Sequence, residues 1–348
     1  MFGLGAIARF GRLTAAGLGL SSVVIGHASA GGSLGLSVLI GLLLVGLAFH
    51  IVAFALNDLF DLDLDRTDPT RAASPLVAGR ITPRTAGIVI AAVAVASFVL
   101  DWVWFGVSPI AASALALGYV GLVFYDAFSK TLPVPLVADA VQGAGWACLV
   151  WYGSIRGGGS TRATLACALF VVGFVVIVNA VHGGLRDLRN DSRRGARTAA
   201  VVFGARLDGD VVTVPGMLLG LAWLLQAALA GLAVVAPFGI RGGFGWWVLW
   251  YAVALVATAF AVWLLWRAVH ANADPVRFKN LGAAHILALW LPLTAMTAMY
   301  GGATQGLAAL AAMVVPMLGN ASFRGAFRTM PGVLRELRVA LQWTRVQS

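Results

Sequence analysis

The sequence predicts an all-α membrane protein of about nine transmembrane helices with helical loops capping one side. Three observations lead there. Of 348 residues, 60% are hydrophobic and only 11% are charged, and the mean hydropathy is +0.90. A soluble domain is roughly 45–50% apolar and about 25% charged, so the excess apolar surface must face lipid. Apolar runs of about 20 residues, the length that crosses a bilayer as a helix, recur along the whole chain. Glycine is abundant, with 42 residues, as close helix–helix approach in membranes favours.

Taken in order, the apolar runs fall near 12–29, 33–57, 84–105, 107–126, 134–154, 163–183, 214–236, 245–269 and 281–300. The first follows Arg9 and Arg12 and leads directly into the second, so no cleaved signal peptide is expected. A tenth run, 303–319, is shorter and contains Pro316, so it either spans or lies re-entrant. Residues 1–320 read as one membrane domain. Residues 321–348 read as a basic amphipathic tail, in which Arg324, Arg328, Arg335, Arg338 and Arg345 alternate with apolar side chains and Trp343. Cys148 and Cys167 both lie in apolar runs, where core packing is expected rather than a disulfide or a metal site.

The formal net charge of +10 comes from loop arginines in an oily chain. It reads as a topology signal rather than as a nucleic-acid surface. With a cytoplasmic N-terminus, Arg9, Arg12, Arg66, Arg71, Arg80, Arg84, Lys130, Arg186, Arg189, Arg193, Arg194, Arg197, Arg206, Arg267, Arg277 and Lys279 share its side. The opposite side holds Arg156, Arg162 and Arg241. Sixteen against three is a positive-inside bias.

The acids are not spread evenly. Of 14 in the chain, five lie between Asp58 and Asp68, four of them in the stretch Asn57-Asp58-Leu59-Phe60-Asp61-Leu62-Asp63-Leu64-Asp65. At about 100° per residue, Asp58, Asp61 and Asp65 fall within about 60° of one another, and Asp63 points roughly the other way. A second cluster, Asp187-Leu188-Arg189-Asn190-Asp191, places two carboxylates at i and i+4 on one helix face. The clusters follow the second and sixth runs and so lie on one side. Carboxylates stacked on one stripe repel each other, and hard divalent cations with oxygen ligands relieve that repulsion, Mg²⁺ being the one that also takes phosphate oxygens.

Other polar residues stand out against the apolar background. Asn179 and His182 precede the second cluster, and polar groups at membrane depth are candidates for the substrate side. Asp139 and Gln142 share a face of the fifth run, where Asp139 pairs with Lys130 or accepts a proton. Asp101 reads as interfacial, and Trp102, Trp104, Trp246, Trp247 and Trp250 as an aromatic belt. His285 and Trp290 read as packing.

These residues resemble the UbiA superfamily of intramembrane prenyltransferases. Asn57, Asp58, Asp61 and Asp65 match its Asn-Asp-x-x-Asp-x-x-x-Asp motif, and Ser74-Pro75-Leu76-Val77-Ala78-Gly79-Arg80-Ile81 is similar to the stretch that follows it. Asp187, Asp191, Gly195, Arg197 and Thr198 match the second motif, with Val201-Val202-Phe203-Gly204 behind it. Tyr125 and Lys130 fall where the family has a Tyr and a Lys. The chain departs from the pattern in three places: Ser74 stands where many members have Arg, the Tyr-to-Lys gap is five residues rather than four, and the first helix lacks an Arg-Pro start.

The resemblance implies helices around a lipid-open central cavity, Mg²⁺ as cofactor, and an isoprenyl diphosphate donor. It implies metal ligation by Asn57, Asp58, Asp61, Asp65, Asp187 and Asp191, with Asp58 and Asp65 acting through water or Arg. Asp61, Asp191, Lys130 and Tyr125 form the implied catalytic set. Arg71, Arg80, Arg186, Asn179 and His182 stand on the diphosphate and substrate side. The acceptor it implies is small and aromatic, of 4-hydroxybenzoate type, in a bacterial inner membrane with the motif loops cytoplasmic. A terpene cyclase of the same family would quench the cation within one chain. A cation-coupled transporter would instead show solute flux and no pyrophosphate release.

Overall fold

The helices begin where short polar caps and prolines stop the preceding loops. In this computed structural model, residues 9–209, 211–235, 245, 247–269, 275–320, 324–325 and 328 are described, excluding the side chains of 70 and 275–277. The predicted tail lies almost wholly outside the described residues, as do Arg241 and Trp246. The helices are α1 (Gly17–Ser29), α2 (Leu36–Phe60), the short α3 (Leu62–Asp65), α4 (Pro83–Phe105), α5 (Pro109–Phe128), α6 (Pro135–Arg156) and α7 (Arg162–Ile177). A π-helical turn, Val178–Gly183, joins α7 to α8 (Gly184–Arg194). Then come α9 (Ala199–Val202), a two-stranded antiparallel hairpin of β1 (Arg206–Asp208) and β2 (Val211–Thr213), α10 (Gly216–Val235), α11 (Trp247–Val269), α12 (Pro275–Gly301) and α13 (Ala303–Met317).

Thr82 before α4 and Ser108 before α5 accept hydrogen bonds from the backbone N–H groups of Thr85 and Ala111, and a proline occupies the first turn of each helix. Thr161 and Thr164 form a reciprocal capping box at the start of α7. Neighbour contacts run in an unbroken circuit: α1 with α2, α2 with α5, α5 with α6, α6 with α7, α7 with α10, α10 with α11, α11 with α12, α12 with α13, and α13 back to α1. Helix α4 packs outside α2. The backbones of α1 and α6 touch: a Cβ on Gly26 would lie 2.0 Å from the Val150 carbonyl oxygen, and one on Gly153 would lie 2.2 Å from that of Val23. Small residues are what permit such an approach in a membrane.

Among the described residues, seven helices are long and apolar enough to cross a membrane, against the nine expected. The difference has two causes. Helix α1 has 13 residues, because a 3-10 turn (Leu13–Ala15) and a left-handed Arg12 (φ 42°) precede it. That is about 20 Å of helix, short of a hydrocarbon core about 30 Å thick. Helix α6 has 22 residues but carries Asp139, Gln142 and Ser154, and it buries Asp139 and Ser154 against neighbouring helices rather than showing them to lipid. The tenth run forms the 15-residue α13, with Pro316 inside it, packed on α1 and α12.

Asp101, near the end of α4, is buried in an ion pair. Its carboxylate is 5% exposed and takes a two-pronged ion pair from Arg156, Nε at 2.8 Å and Nη2 at 2.6 Å, plus the Tyr152 hydroxyl at 2.7 Å. Arg156 also donates to the carbonyls of Phe105 and Gly106. The pair closes the end of the α4–α5–α6 unit opposite the acidic motifs. Asp101→Asn leaves a buried guanidinium without its counter-charge, which costs about 3–5 kcal/mol. Thermal unfolding in detergent should register it as a clear fall in melting temperature, and an unchanged melting point would show the pair to be dispensable.

Candidate active site

The first motif sits where α2 gives way to α3. Asp61 caps α2, yet its N–H still bonds to the Asn57 carbonyl at 2.9 Å and its own carbonyl accepts the Asp65 N–H at 2.8 Å. The helical phase therefore survives the junction. Side-chain exposure is 4% for Asp58, 16% for Asp61 and 9% for Asp65, against 94% for Asp63. The expected stripe of three carboxylates is the inward one.

Each of those three faces a basic group. Arg12 pairs with Asp58, Lys130 Nζ lies 2.8 Å from Asp61 Oδ1, and Arg71 Nε lies 3.5 Å from Asp65 Oδ1. Lys130 thus pairs with Asp61 and not with Asp139, because the turn after α5 carries it to the end of α2. Burial pushes the Asp65 carboxyl up to about 6, with Arg71 opposing and Asp61 and Asp58 adding to the rise.

The second motif is placed by the π-helical turn. Helix α8 follows it directly and ends at Gly195, whose φ of 67° is the left-handed C-cap that glycine accommodates. Asp191 is buried, while Asp187 is half-buried and takes a two-pronged pair from the neighbouring Arg186 at 2.8 and 2.6 Å. Charges couple the two motifs: Asp191 feels Lys130, Asp187 and Asp61, and Asp187 feels Arg71 and Lys130. Tyr125 lies within electrostatic reach of Asp61, Asp126, Asp139 and Asp187.

Direct bonds tie the motif segments together. The Thr67 hydroxyl, just past the first motif, lies 3.4 Å from Asn190 Oδ1 and accepts Arg194 Nε at 3.3 Å. The Arg197 N–H, near the end of the second motif, donates to the Lys130 carbonyl at 2.8 Å. The structure therefore brings Asn57, Asp58, Asp61, Asp65, Tyr125, Lys130, Arg71, Arg186, Asp187 and Asp191 to one end of the bundle.

Three expected residues are placed differently. Arg80 is exposed and forms no ion pair among the described residues. Asn179 donates to Gln142 Oε1 on α6. His182 Nε2 and His285 Nδ1 are 2.7 Å apart, and His285 Nε2 lies 2.9 Å from Gln226 Oε1, forming a buried chain between the π turn, α12 and α10. Trp290 packs edge-on against Phe174, and both cysteines are free.

Sequence reasoning missed Arg12, Thr67 and Asp126. Asp126 accepts the Asn57 amide at 3.2 Å. Its place next to Tyr125 and four residues before Lys130, at the end of an apolar run, was the available signal.

Among the described residues, no three of His, Cys, Asp and Glu gather as a ready metal cage. The donors the motifs present are the Asn57 amide and the carboxylates of Asp61, Asp187 and Asp191, with no sulfur or imidazole among them. That all-oxygen set fits Mg²⁺, which is held by a few carboxylates together with water and substrate phosphates rather than by a dedicated protein cage.

A family model described as the UbiA prenyltransferase family matches residues 19–283. Digeranylgeranylglyceryl phosphate synthase of Pyrococcus horikoshii is 28% identical over 174 residues, covering 47% of this chain and 56% of that protein. The protein of the same name from Pyrococcus abyssi is 26% identical over 181 residues, covering 50% and 62%. The chain thus matches 56% and 62% of the length of these relatives. In fold it is similar to a UbiA homolog from Archaeoglobus fulgidus bound to DMAPP and Mg²⁺, with a TM-score of 0.60 at 17% identity, covering 83% of this chain and 99% of that one. It is also similar to a UbiA homolog from Aeropyrum pernix K1, with a TM-score of 0.58 at 18% identity, covering 87% and 98%. With the family model spanning most of the membrane helices and both acidic motifs inside its match, the chain belongs to the UbiA prenyltransferase family.

Proposed function

We propose that the protein is a Mg²⁺-dependent intramembrane prenyltransferase, which moves an isoprenyl group from a polyprenyl diphosphate to a small acceptor and releases pyrophosphate. The observation that carries this reading is the union of two acidic helix ends with four cations in one layer: Arg12, Arg71, Lys130 and Arg186 each face a motif carboxylate. A diphosphate entering this layer draws Lys130, Arg71 and Arg186 to its oxygens, where charge builds as the leaving group departs. Asn57, Asp61, Asp187 and Asp191 would hold Mg²⁺, which supplies Lewis-acid neutralisation of the diphosphate. The allylic C–O bond breaks with its electron pair going to the diphosphate oxygen. The allylic carbon then bonds to an electron-rich atom of the acceptor, and the acceptor loses a proton. The arginine bias supports a site on the cytoplasmic face of the membrane.

Two acceptor classes compete. An aromatic acceptor of 4-hydroxybenzoate type is the expectation from sequence. The two Pyrococcus relatives carry the name of a glycerol-phosphate product, which favours a glycerol-phosphate lipid. The test incubates purified protein and isoprenyl diphosphates of several chain lengths with phenolic acids or glycerol-phosphate ether lipids, and identifies products by mass. Pyrophosphate release together with a prenylated acceptor is the expected result. A cyclic hydrocarbon formed from the diphosphate alone would replace transfer with cyclisation, and no pyrophosphate under any condition would defeat the reading.

A further inference from the structure

Asn57 makes two bonds of the same kind. Its Nδ2 lies 3.2 Å from Asp61 Oδ2, one turn on, and 3.2 Å from Asp126 Oδ1, at the end of α5. Asp61, ion-paired with Lys130, offers the amide only acceptor oxygens, and only the NH₂ end of an amide can donate to them. That contact fixes which way the amide faces, the Asp126 contact lies on the same nitrogen, and no donor among the described residues reaches its Oδ1. The carbonyl oxygen is the one atom of this side chain that can ligate a cation. Asp61 holds the amide from within its own helix, but Asp61 is shared with Lys130 at 2.8 Å. Asp126 comes from a separate helix and forms no ion pair among the described residues, so its bond to Asn57 is its dedicated contact.

We propose that Asp126 is a positioning residue, which clamps the Asn57 amide so that Oδ1 is presented to the cation of the diphosphate site. The inference rests on the metal reading given under Proposed function. Carboxylates and carbonyls that orient metal ligands from behind typically change metal affinity about 10–100-fold when removed. The role asks only for a hydrogen-bond acceptor at position 126. It does not ask for a negative charge or a metal bond there.

That distinction makes the test. Mn²⁺ is titrated into the full-length protein in detergent, with a non-cleavable thiolo analogue of geranyl diphosphate present, and binding is followed by electron paramagnetic resonance. Asp126→Ala should weaken Mn²⁺ binding about 10-fold or more, while the melting temperature measured in parallel stays near wild type. Asp126→Asn keeps a carbonyl acceptor for the Asn57 amide and should retain affinity within about 3-fold of wild type, which is the partial rescue expected of an orienting contact. In turnover, Asp126→Ala should raise the half-saturating Mg²⁺ concentration far more than it lowers kcat at saturating Mg²⁺. Asp126→Ser, too short to reach the amide, serves as the truncation should the alanine variant not fold. Unchanged Mn²⁺ affinity in the truncated variants would overturn the inference alone. An Asp126→Asn variant as weak as the truncation would overturn it in favour of a direct charge or ligand role. Wild-type protein that takes up no Mn²⁺ would overturn the metal reading and this inference with it.

Discussion

Asp61→Asn and Asp191→Asn should each lower pyrophosphate release on the order of 10³-fold while leaving the protein folded. The substitution is nearly isosteric, so the packing around a half-buried Asp61 and a buried Asp191 changes little. What changes is charge. Asp61 supplies the counter-charge to Lys130 at 2.8 Å, and Asp191 lies within the field of Lys130, Asp187 and Asp61. Removing either carboxylate would weaken binding of the proposed cation and leaves Lys130 with one negative neighbour fewer. One residue comes from each motif, and direct bonds through Thr67, Asn190, Arg194, Lys130 and Arg197 join the motif segments. A phosphate-release assay on both variants, with melting temperature as the folding control, checks the claim. Full activity in either would show that one motif suffices.

Chelation should have the second large effect: EDTA takes turnover to background, and added Mg²⁺ restores it. The ion pairs supply the reason. Asp58, Asp61, Asp65 and Asp187 are each paired with a cation of the protein. A diphosphate that draws those cations off the carboxylates would leave neighbouring negative charges uncompensated. At about 4 Å, two unit charges repel by about 4 kcal/mol at an effective dielectric near 20. A divalent cation held by Asp61, Asp187 and Asp191 would supply the positive charge that removes that penalty. Turnover indifferent to EDTA would mean that Arg12, Arg71, Lys130 and Arg186 manage the diphosphate unaided.

Much of this arrangement was legible in the sequence because it is local. Helix phase over eight residues separated Asp63 from Asp58, Asp61 and Asp65, and the helix junction at Asp61 did not disturb it. Apolar run lengths located the helices, since lipid imposes length and composition on each span separately. What escaped was non-local. The ion pair of Asp101 escaped because its partner, Arg156, is 55 residues away and meets it only when α4 and α6 pack. The pairing of Lys130 with Asp61 rather than Asp139 escaped because the path of the turn after α5 cannot be read from spacing. Asp126 escaped because attention to clustered acids passes over a single one.

The π-helical turn at Val178–Gly183 bears on how this chain can vary. A π turn holds one residue more than the α-helical turn it replaces, and each residue rotates a helix by about 100°. Helix α8 therefore owes its rotational setting to a residue count upstream. Deleting one residue there would swing Asp187 and Asp191 by about a quarter-turn or more, away from Asp61 and Lys130, without altering either acid. Between the anchors at Asn179–Gln142 and His182–His285 and the carboxylates beyond, this segment tolerates exchange of side chains more readily than change of length. In this chain the second motif is specified by arithmetic along the backbone as much as by the letters it contains.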